Sequence, residues 1–239
     1  MSILLLILSI FLVSLTFASI TSKIELYYTS FDEPPPRSIL EYHSEISKGG
    51  IKTGVERSEK KSIAWGITIF PYPIDQVWRG INHEEHHVDL SPVSETKIIL
   101  GDPCGEIREV FMQLPIPLLD DRWWITEQRV NVDVHKKSSG TIRELSWKKI
   151  STLKSQTYIE NGHIHPTGIE LADTYGSWIL YQMNDTETIG YYHSYVDPGG
   201  YIPAGPINNL AGGGIFDTIQ AMHKYISNIS PKTCHMKVP

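Results

Sequence analysis

The sequence has no cluster of basic residues and no excess of positive charge. Lys and Arg number 21 against 27 Asp and Glu, which gives a formal net charge of −6 at pH 7, and the basic residues are scattered along the 239-residue chain. A nucleic-acid-binding domain normally shows a basic patch or stripe. We therefore expect no nucleic-acid partner, and a general attraction to anionic lipid surfaces is equally unsupported.

Motifs of common catalytic machinery are also missing. The chain has no Gly-x-Ser-x-Gly elbow, and neither of its two cysteines lies in a motif that marks a nucleophile. The run Gly212-Gly213-Gly214 lacks the lysine and the preceding strand of a phosphate-binding loop. The sequence therefore carries no signal for nucleophilic catalysis or for nucleotide binding.

Internal repeats, low-complexity tracts and interdomain linkers are absent as well. The composition, with 41% apolar and 20% charged residues, is that of an ordinary globular chain. A chain of this length is long enough to build one good hydrophobic core. We expect a single α+β unit after the N-terminal segments.

The first eighteen residues have the pattern of an export signal. Ile3 to Val13 is nearly unbroken apolar sequence, and Thr16 and Ala18 supply small residues at the −3 and −1 positions of a cleavage site. No Lys or Arg precedes the apolar run. We expect residues 1–18 to be a signal peptide and the mature chain to begin at Ser19. A retained membrane anchor is the alternative, although a spanning helix needs about 20 apolar residues.

Two further features gain meaning if the chain is exported. In an oxidising compartment, a Cys104–Cys234 disulfide would fasten the C-terminal tail to a loop. The alternative is two unpaired thiols whose Cα atoms lie farther apart than the ~7 Å that a disulfide can reach. Asn184-Asp185-Thr186 and Asn228-Ile229-Ser230 fit the N-glycosylation sequon, which matters only in a eukaryotic secretory pathway.

Residues 19–50 have the pattern of a lead-in segment. Asp32-Glu33-Pro34-Pro35-Pro36 interrupts regular structure, and Ser38 to Ser47 is a short helix candidate that ends at Gly49-Gly50. From Ile51 onward the pattern changes to strands. The lead-in is therefore expected to precede the domain rather than to belong to its sheet.

Hydrophobic periodicity predicts a run of strands with one early helix. Apolar residues alternate from Ile63 to Ile69, which is the period of a half-buried strand, and helical spacing follows from Ile74 to Ile81 directly after Pro73. The clearest later alternation is Val130, Val132 and Val134. Hairpin turns are expected at Ser138-Ser139-Gly140 and Asp185-Thr186. The remaining predicted strands are Lys97 to Leu100, Glu106 to Leu114, Trp123 to Lys136, Thr141 to Ser151, Gly176 to Met183 and Thr188 to Val196.

Such an antiparallel meander needs a cover on one face, and the last helix is the expected cover. Its apolar stripe repeats every three or four residues. Gly212 to Gly214 interrupts the stripe and predicts a kink, a two-part helix or space left for a ligand, with a loop and a shorter helix from Ile215 as the alternative. The stripe consists of Ile207, Ala211, Ile215, Ile219, Met222 and Ile226.

Two segments resemble the StAR-related lipid-transfer (START) domain. They are Leu114-Pro115-Ile116-Pro117-Leu118-Leu119-Asp120-Asp121-Arg122 and Asp197-Pro198-Gly199-Gly200-Tyr201-Ile202-Pro203. The resemblance extends over roughly Ile51 to Ser227. It implies an α+β helix-grip fold, in which a curved antiparallel sheet wraps around a long C-terminal helix and encloses an apolar cavity. The domain would span residues 51–230 and leave a tail at residues 231–239.

The resemblance also implies a function. Members of this family bind one sterol, phospholipid or other hydrophobic molecule in the cavity and carry it. We therefore expect a lipid partner, transient membrane contact, a monomeric chain and no cofactor. The opening of the cavity is expected at Asp197 to Pro206, with Gly199 and Gly200 as hinge residues.

Arg122 is the first expected ligand contact, because the resembling family has an arginine after its Pro-x-Pro segment that points into the cavity beside an acid. In this sequence the residue after Arg122 is Trp123 instead of an acid. The alternative role of Arg122 is that of a charge on the surface of a loop. Neighbours along a strand face opposite sides, so the other expected contacts cannot all point inward. Asn208 is also expected to cap the turn before the last helix. The other expected contacts are Phe111, Trp124, Glu127, Trp147, Trp178, Tyr181, Tyr192, His193 and Asn208.

His83-Glu84-Glu85-His86-His87 matches the His-Glu-x-x-His pattern of zinc proteases. The pattern needs a continuous helix through His87, whereas Val88 to Pro92 breaks a helix almost at once. We therefore expect no catalytic metal here. His163 and His165 are expected to be loop residues, and the alternative is a carbonyl or metal contact between them and the cluster at residues 83–87.

The enzymatic alternative lies within the wider helix-grip superfamily, where similar cavities act as cyclases, dehydratases or hydrolases. In such a pocket Arg122, Glu127, Tyr192 and His193 would supply the acid and base groups. A carrier, by contrast, would release its ligand unchanged. The two hypotheses therefore differ in the fate of the ligand.

Overall fold

The computed structural model describes residues 22–46, 49–59, 61–86, 93–200 and 214–234. The predicted signal peptide at residues 1–18, the residues Ile207, Asn208 and Ala211, and the predicted mouth at residues 201–206 lie outside these ranges. So do Gly212, Gly213, His87 and the end of the predicted tail. Within the described part of the chain, no helix is long and apolar enough to span a membrane.

The described chain forms one sheet of nine strands, and every neighbouring pair is antiparallel except β5 and β7. The strand order is β1-β2-β9-β8-β6-β5-β4-β3, so β1 and β3 are the edges, and β7 pairs with the end of β5. The strands are β1 (Ile51–Arg57), β2 (Ser62–Phe70), β3 (Glu95–Leu100), β4 (Ile107–Leu114), β5 (Arg122–Val130), β6 (Ile142–Lys149), β7 (Ile169–Glu170), β8 (Asp173–Asn184) and β9 (Glu187–Asp197).

Helices cover both faces of the sheet. The α-helices are α1 (Ile74–Ile81), α2 (Val132–Lys137), α3 (Thr152–Glu160) and α4 (Gly214–Ser227), and short 3₁₀ helices span Tyr28–Ser30, Arg37–Glu45 and Glu84–His86. The predicted short helix in the lead-in is thus present in 3₁₀ form. This α+β arrangement of a curved antiparallel sheet with a C-terminal helix confirms the expected helix-grip architecture.

Helix α4 packs on β1 and β2 and contacts α1. A Cβ atom at Gly66 of β2 would collide with Ile219 and Ile215 of α4, and one at Gly80 of α1 would collide with Ile226. Glycine at these two positions therefore permits the close approach of the helix. The described part of the predicted stripe, Ile215, Ile219, Met222 and Ile226, is buried in this contact. We call this side of the sheet the concave face.

The opposite, convex face is covered by the lead-in and by α3. Ile24, Phe31, Leu40 and Ile46 of the lead-in form one apolar cluster with side chains of β2, β8 and β9. Tyr158 and Ile159 of α3 pack against a second cluster on β4 and β5. The lead-in therefore seals one side of the sheet and leaves the concave face as the side where a cavity can form.

Most predicted strands are confirmed to within a few residues, but the strand predicted from Trp123 to Lys136 is wrong in its second half. The strand ends at Val130, and α2 begins at Val132. The side chain of Asn131 accepts a hydrogen bond from the Val134 backbone N–H at 3.0 Å and caps this helix. A local cap thus overrides the alternation of valines.

Helix α3 was not predicted from the sequence. Ser151 caps its first turn by accepting a hydrogen bond from the Lys154 N–H, and the exposed Leu153 lies where a simple amphipathic helix would be polar. The helix docks through Glu109 of β4, which accepts hydrogen bonds from Tyr158 (2.7 Å) and from Lys154. Because this docking is polar, it leaves little trace in the hydrophobic pattern.

A disulfide joins Cys104, in the loop between β3 and β4, to Cys234, beyond the end of α4. Their Cα atoms lie 5.3 Å apart, within the range that a disulfide requires. Both residues have positive φ angles, 60° and 43°. The bond therefore fastens the C-terminal end of the chain to the sheet beside α1.

Candidate functional site

The strand register determines which side chains face the concave surface. Trp178 pairs with Tyr192, and Tyr192 pairs with Gly66, the residue on which α4 packs. Trp147 pairs with Gln128, four residues from Trp124 along β5, so both rings share that face. The concave face therefore carries four of the expected ligand contacts, Trp124, Trp147, Trp178 and Tyr192.

Aromatic rings form a continuous line across this face. The ring centroids of Phe70 and Trp178 are 6.3 Å apart, those of Trp178 and Tyr192 4.5 Å, and those of Tyr192 and Trp147 5.6 Å. His223 of α4 extends the line, with its ring centroid 4.4 Å from that of Phe70. We call Phe70, Trp178, Tyr192 and Trp147 the aromatic ladder.

The ladder changes from buried to accessible along its length. Phe70 and Trp178 are buried under α1 and α4, whereas Tyr192 and Trp147 keep part of their surface accessible, as does Trp124 on β5, the strand next to that of Trp147. Burial nevertheless raises the pKa of the Tyr192 hydroxyl to about 12. The accessible end of the ladder is thus an apolar, weakly solvated surface on the inner side of the sheet.

A buried ion pair lies on the same face beyond the ladder, and sequence reasoning did not identify it. Arg108 of β4 pairs with Glu84 and donates to the Asn82 side chain at 2.7 Å, and the guanidinium is 1% exposed. Among the residues that the structure describes, one oxygen of Glu84 and the Nε of Arg108 have no hydrogen-bond partner. Arg108 and Val110 are two residues apart on β4 and therefore lie on the same face of the sheet. This spacing was the sequence signal that could have placed the Arg108 charge on the buried side.

Arg122 is buried, which contradicts its alternative role as a loop-surface charge. The side chain is fixed by backbone carbonyls from two loops rather than by an acid. Nε donates to the Pro198 carbonyl at 2.8 Å, and one terminal nitrogen donates to the Asp120 carbonyl at 2.6 Å. The other terminal nitrogen lies 3.4 Å from the Gly199 carbonyl. Arg122 therefore ties the loop before β5 to the loop after β9.

Phe111, Glu127, Tyr181 and His193 lie on the convex face. Phe111 packs in the cluster under α3, and Tyr181 packs in the cluster under the lead-in. Glu127 forms an exposed ion pair with Arg129 at 2.8 Å. His193 is 1% exposed, and burial lowers its pKa to about 3. These four side chains are on the wrong side of the sheet to line the concave surface.

The segment with the zinc-protease pattern does not form the required helix. Helix α1 ends at Ile81, and Glu84–His86 is a single 3₁₀ turn. Glu84 is bound to Arg108 instead of being available to activate a water molecule. The ring of His83 approaches Tyr225 of α4, with Nδ1 2.5 Å from the hydroxyl oxygen. Among the described residues, no group of three His, Cys, Asp or Glu side chains is placed to hold a metal.

The four residues of the enzymatic alternative are not brought together. Tyr192 is on the concave face, Glu127 and His193 are on the convex face, and Arg122 is committed to backbone carbonyls. His163 lies in a loop, where its carbonyl accepts a hydrogen bond from Lys97 at 2.7 Å. No acid–base pair is therefore formed from this set.

Comparison with known proteins gave structural matches but no matching family model and no matching curated sequence. A STAR-related lipid transfer protein fragment from Xanthomonas axonopodis is 14% identical with a TM-score of 0.59, over 76% of this chain and 96% of that one. Human StAR-related lipid transfer protein 5 is 12% identical with a TM-score of 0.60, over 87% of this chain and 97% of that one. Human STARD10 is 14% identical with a TM-score of 0.59, over 81% of this chain and 80% of that one. Such low identities establish the fold and nothing finer, and the fold of this chain is the helix-grip fold of the START domains.

Proposed function

We propose that the protein binds one hydrophobic molecule, of the sterol or phospholipid class, against its concave face and carries it without chemical change. The ligand lies along Trp124, Trp147 and Tyr192. The chain is exported by its N-terminal signal, and loading and release involve transient contact with a membrane.

The observation that carries this proposal is the accessible half of the aromatic ladder. Large rings on the helix side of a sheet are normally packed to full burial, yet Trp147 and Tyr192 keep accessible surface there. A flat apolar wall of this kind suits a hydrocarbon chain or a sterol skeleton, because each CH₂ removed from water contributes ~0.8 kcal/mol. Binding of many such groups needs no covalent step.

Arg122 contributes to this function through the two loops that it joins. The loop after β9 contains Gly199 and Gly200, both with positive φ angles, and leads toward α4. As long as Arg122 holds the Pro198 carbonyl, this loop stays next to the loop before β5. Arg122 is therefore a positioning residue for the mouth of the cavity, and it sets the rate of exchange more than the choice of ligand.

The test is native mass spectrometry of the mature chain, followed by organic extraction and lipid analysis of what it carries. We expect one intact hydrophobic molecule per chain. A chain that arrives empty and also takes up no lipid from mixed vesicles would overturn the proposal. A ligand recovered in a chemically altered form would favour a helix-grip enzyme instead.

Two adjacent tryptophans of β5 provide a matched control. Trp124 faces the concave surface and Trp123 packs in the convex cluster, so Trp124→Leu and Trp123→Leu make the same chemical change on opposite faces. We expect Trp124→Leu to weaken uptake of a fluorescent lipid, measured by energy transfer from the remaining tryptophans. Trp123→Leu is expected to lower the melting temperature while the lipid affinity of the folded chain stays unchanged. Equal loss of affinity in both variants would contradict binding on the concave face.

A further inference from the structure

The tip of the β8–β9 hairpin carries a sequon in an exposed turn. Asn184 is the last residue of β8, and Asp185 and Thr186 form the two-residue connection to Glu187. All three sequon residues are exposed. An asparagine in Asn-x-Ser/Thr, with x other than proline, is the acceptor of N-linked glycans, and surface loops are where such glycans are carried.

Hydrogen bonds hold this sequon in a compact turn. The side-chain oxygen of Asn184 accepts the Thr186 backbone N–H at 2.8 Å and the Thr186 hydroxyl at 3.0 Å. The hydroxyl of the sequon therefore lies directly at the amide that would be modified. These contacts span only two residues, so they do not depend on the rest of the fold and are available to a chain that is still being folded. The Asn184 side-chain nitrogen donates to the Glu187 carboxylate at 2.8 Å.

The asparagine and the serine of the second sequon are also exposed, but its hydroxyl and its amide are engaged differently. The Asn228 side-chain nitrogen donates to the Lys224 carbonyl at 3.1 Å and to the Ser227 hydroxyl at 2.9 Å. Its amide thus caps the end of α4. The hydroxyl of Ser230 accepts the Lys232 N–H instead of contacting Asn228. The structure therefore distinguishes two sequons that the sequence leaves equivalent.

We propose that Asn184 is an N-glycan acceptor and that Asn228 is not. This inference rests on the proposed export of the chain, and the Cys104–Cys234 disulfide is an independent feature suited to the same oxidising compartment. In the transfer, Nδ2 of Asn184 attacks the anomeric carbon of an oligosaccharide on a lipid-linked pyrophosphate. The new carbon–nitrogen bond replaces the carbon–oxygen bond to the pyrophosphate, which leaves, and the amide loses a proton to the transferase.

The position also suits the proposed lipid carrier. Asn184 and the Arg122-bound loop after Asp197 lie at opposite ends of the β8–β9 hairpin. Strand β9 has 11 residues from Glu187 to Asp197, which corresponds to roughly 30 Å. A glycan at the hairpin tip therefore leaves the proposed mouth of the cavity open.

The experiment expresses the full chain in eukaryotic cells, once with its own N-terminus and once behind an established secretory signal. Glycan occupancy is measured by the mobility shift on enzymatic deglycosylation and by conversion of the released asparagine to aspartate in peptide mass spectra. Asn184→Asp keeps the oxygen that accepts the Thr186 N–H and removes the acceptor nitrogen. Thr186→Ala removes the hydroxyl, and Thr186→Ser restores it. Asn228→Asp is the control at the second sequon.

We expect one glycan, lost in Asn184→Asp and Thr186→Ala and retained in Thr186→Ser and Asn228→Asp. Secreted chain with the disulfide formed but Asn184 unmodified would overturn the inference, as would a glycan on Asn228 alone. A glycan that appears only behind the established signal would support the acceptor and contradict export by the chain's own leader. Lipid content of the same samples is read separately, so failure of the carrier proposal is distinguishable from failure of this one.

Discussion

Removing the Cys104–Cys234 disulfide should destabilise the protein strongly, because the bond closes a very long loop. The two cysteines are 130 residues apart in sequence. The chain-entropy relation for cross-links then gives about 5 kcal/mol at 25 °C as the entropic contribution. The positive φ angles of both cysteines cost about 1 kcal/mol per residue, and alanine keeps the Cβ atom responsible, so this cost is recovered only where the freed backbone relaxes. We therefore expect a net loss of roughly 3 to 5 kcal/mol in the free energy of unfolding.

The measurement is urea unfolding of Cys104→Ala, Cys234→Ala and the double variant beside the oxidised protein. Each single exchange breaks the same bond, so the two single variants and the double variant should lose about the same free energy of unfolding. The losses of the two single variants should not add up in the double variant. Their dependence on urea should also be steeper, since the unfolded chain without the cross-link exposes more surface. In a thermal scan, the melting temperature should fall by roughly 6 to 20 °C.

The reasoning fails if reductant shifts the unfolding midpoint of the unaltered protein by less than the equivalent of about 1 kcal/mol. Additive effects of the two single exchanges would also refute it. In that case each cysteine would contribute by its own packing and the cross-link would contribute little.

Three further predictions follow from buried polar groups. Burial raises the pKa of Glu144 to about 7. The folded chain therefore keeps a proton that an unfolded glutamate loses at pH ~4.3. As a result, the free energy of unfolding should fall by roughly 3 to 4 kcal/mol as the pH rises from about 4 to 7. Glu144→Gln should remove this dependence in urea titrations at several pH values, and an unchanged slope would assign it to other groups. Glu84→Leu should lower the free energy of unfolding by about 3 to 5 kcal/mol, because it leaves the buried Arg108 cation without its partner. The double variant Glu84→Leu with Arg108→Leu should recover most of that loss. A double variant less stable than either single variant in urea unfolding would contradict this account. Arg122→Ala should speed lipid release on the order of tenfold without unfolding the chain, measured by transfer between vesicles, whereas Arg129→Ala on the convex face should leave the release rate unchanged.

Sequence periodicity predicted the elements whose stability comes from one apolar stripe. The spacing of α1 and α4 reflects burial on one side, and the structure confirms both helices. The strand β2 is confirmed, but it is buried on both faces from Ala64 to Phe70, because α4 packs on one face and the lead-in on the other. The elements that the sequence misassigned or missed depend on single polar contacts. Asn131 starts a helix where valines alternate, and Glu109 anchors α3 to the sheet.

The candidate site was less predictable than the fold, because the strand register decides on which face of the sheet a side chain lies. Trp123 and Trp124 are adjacent residues of the same type, so the sequence does not distinguish them. Only the pairing of β4 with β5 decides which of the two lies on the concave face. A shift of one residue would exchange the two faces. The ion pair of Arg108 with Glu84 joins residues 24 positions apart, with strand β3 between them in sequence. No local pattern relates such partners.

The open ends of the sheet have a consequence for the protein at high concentration. In the part of the chain that the structure describes, β1 and β3 each pair on one side only, and an unpaired strand edge can recruit a strand from another molecule. Charged side chains lie along both edges, including Lys52 and Glu56 on β1 and Lys97 on β3. The pairing of β3 with β4 is also irregular between Ile98 and Leu100. Charge and irregularity make these edges poor templates, which protects the molecule from aggregating through its own backbone at high concentration.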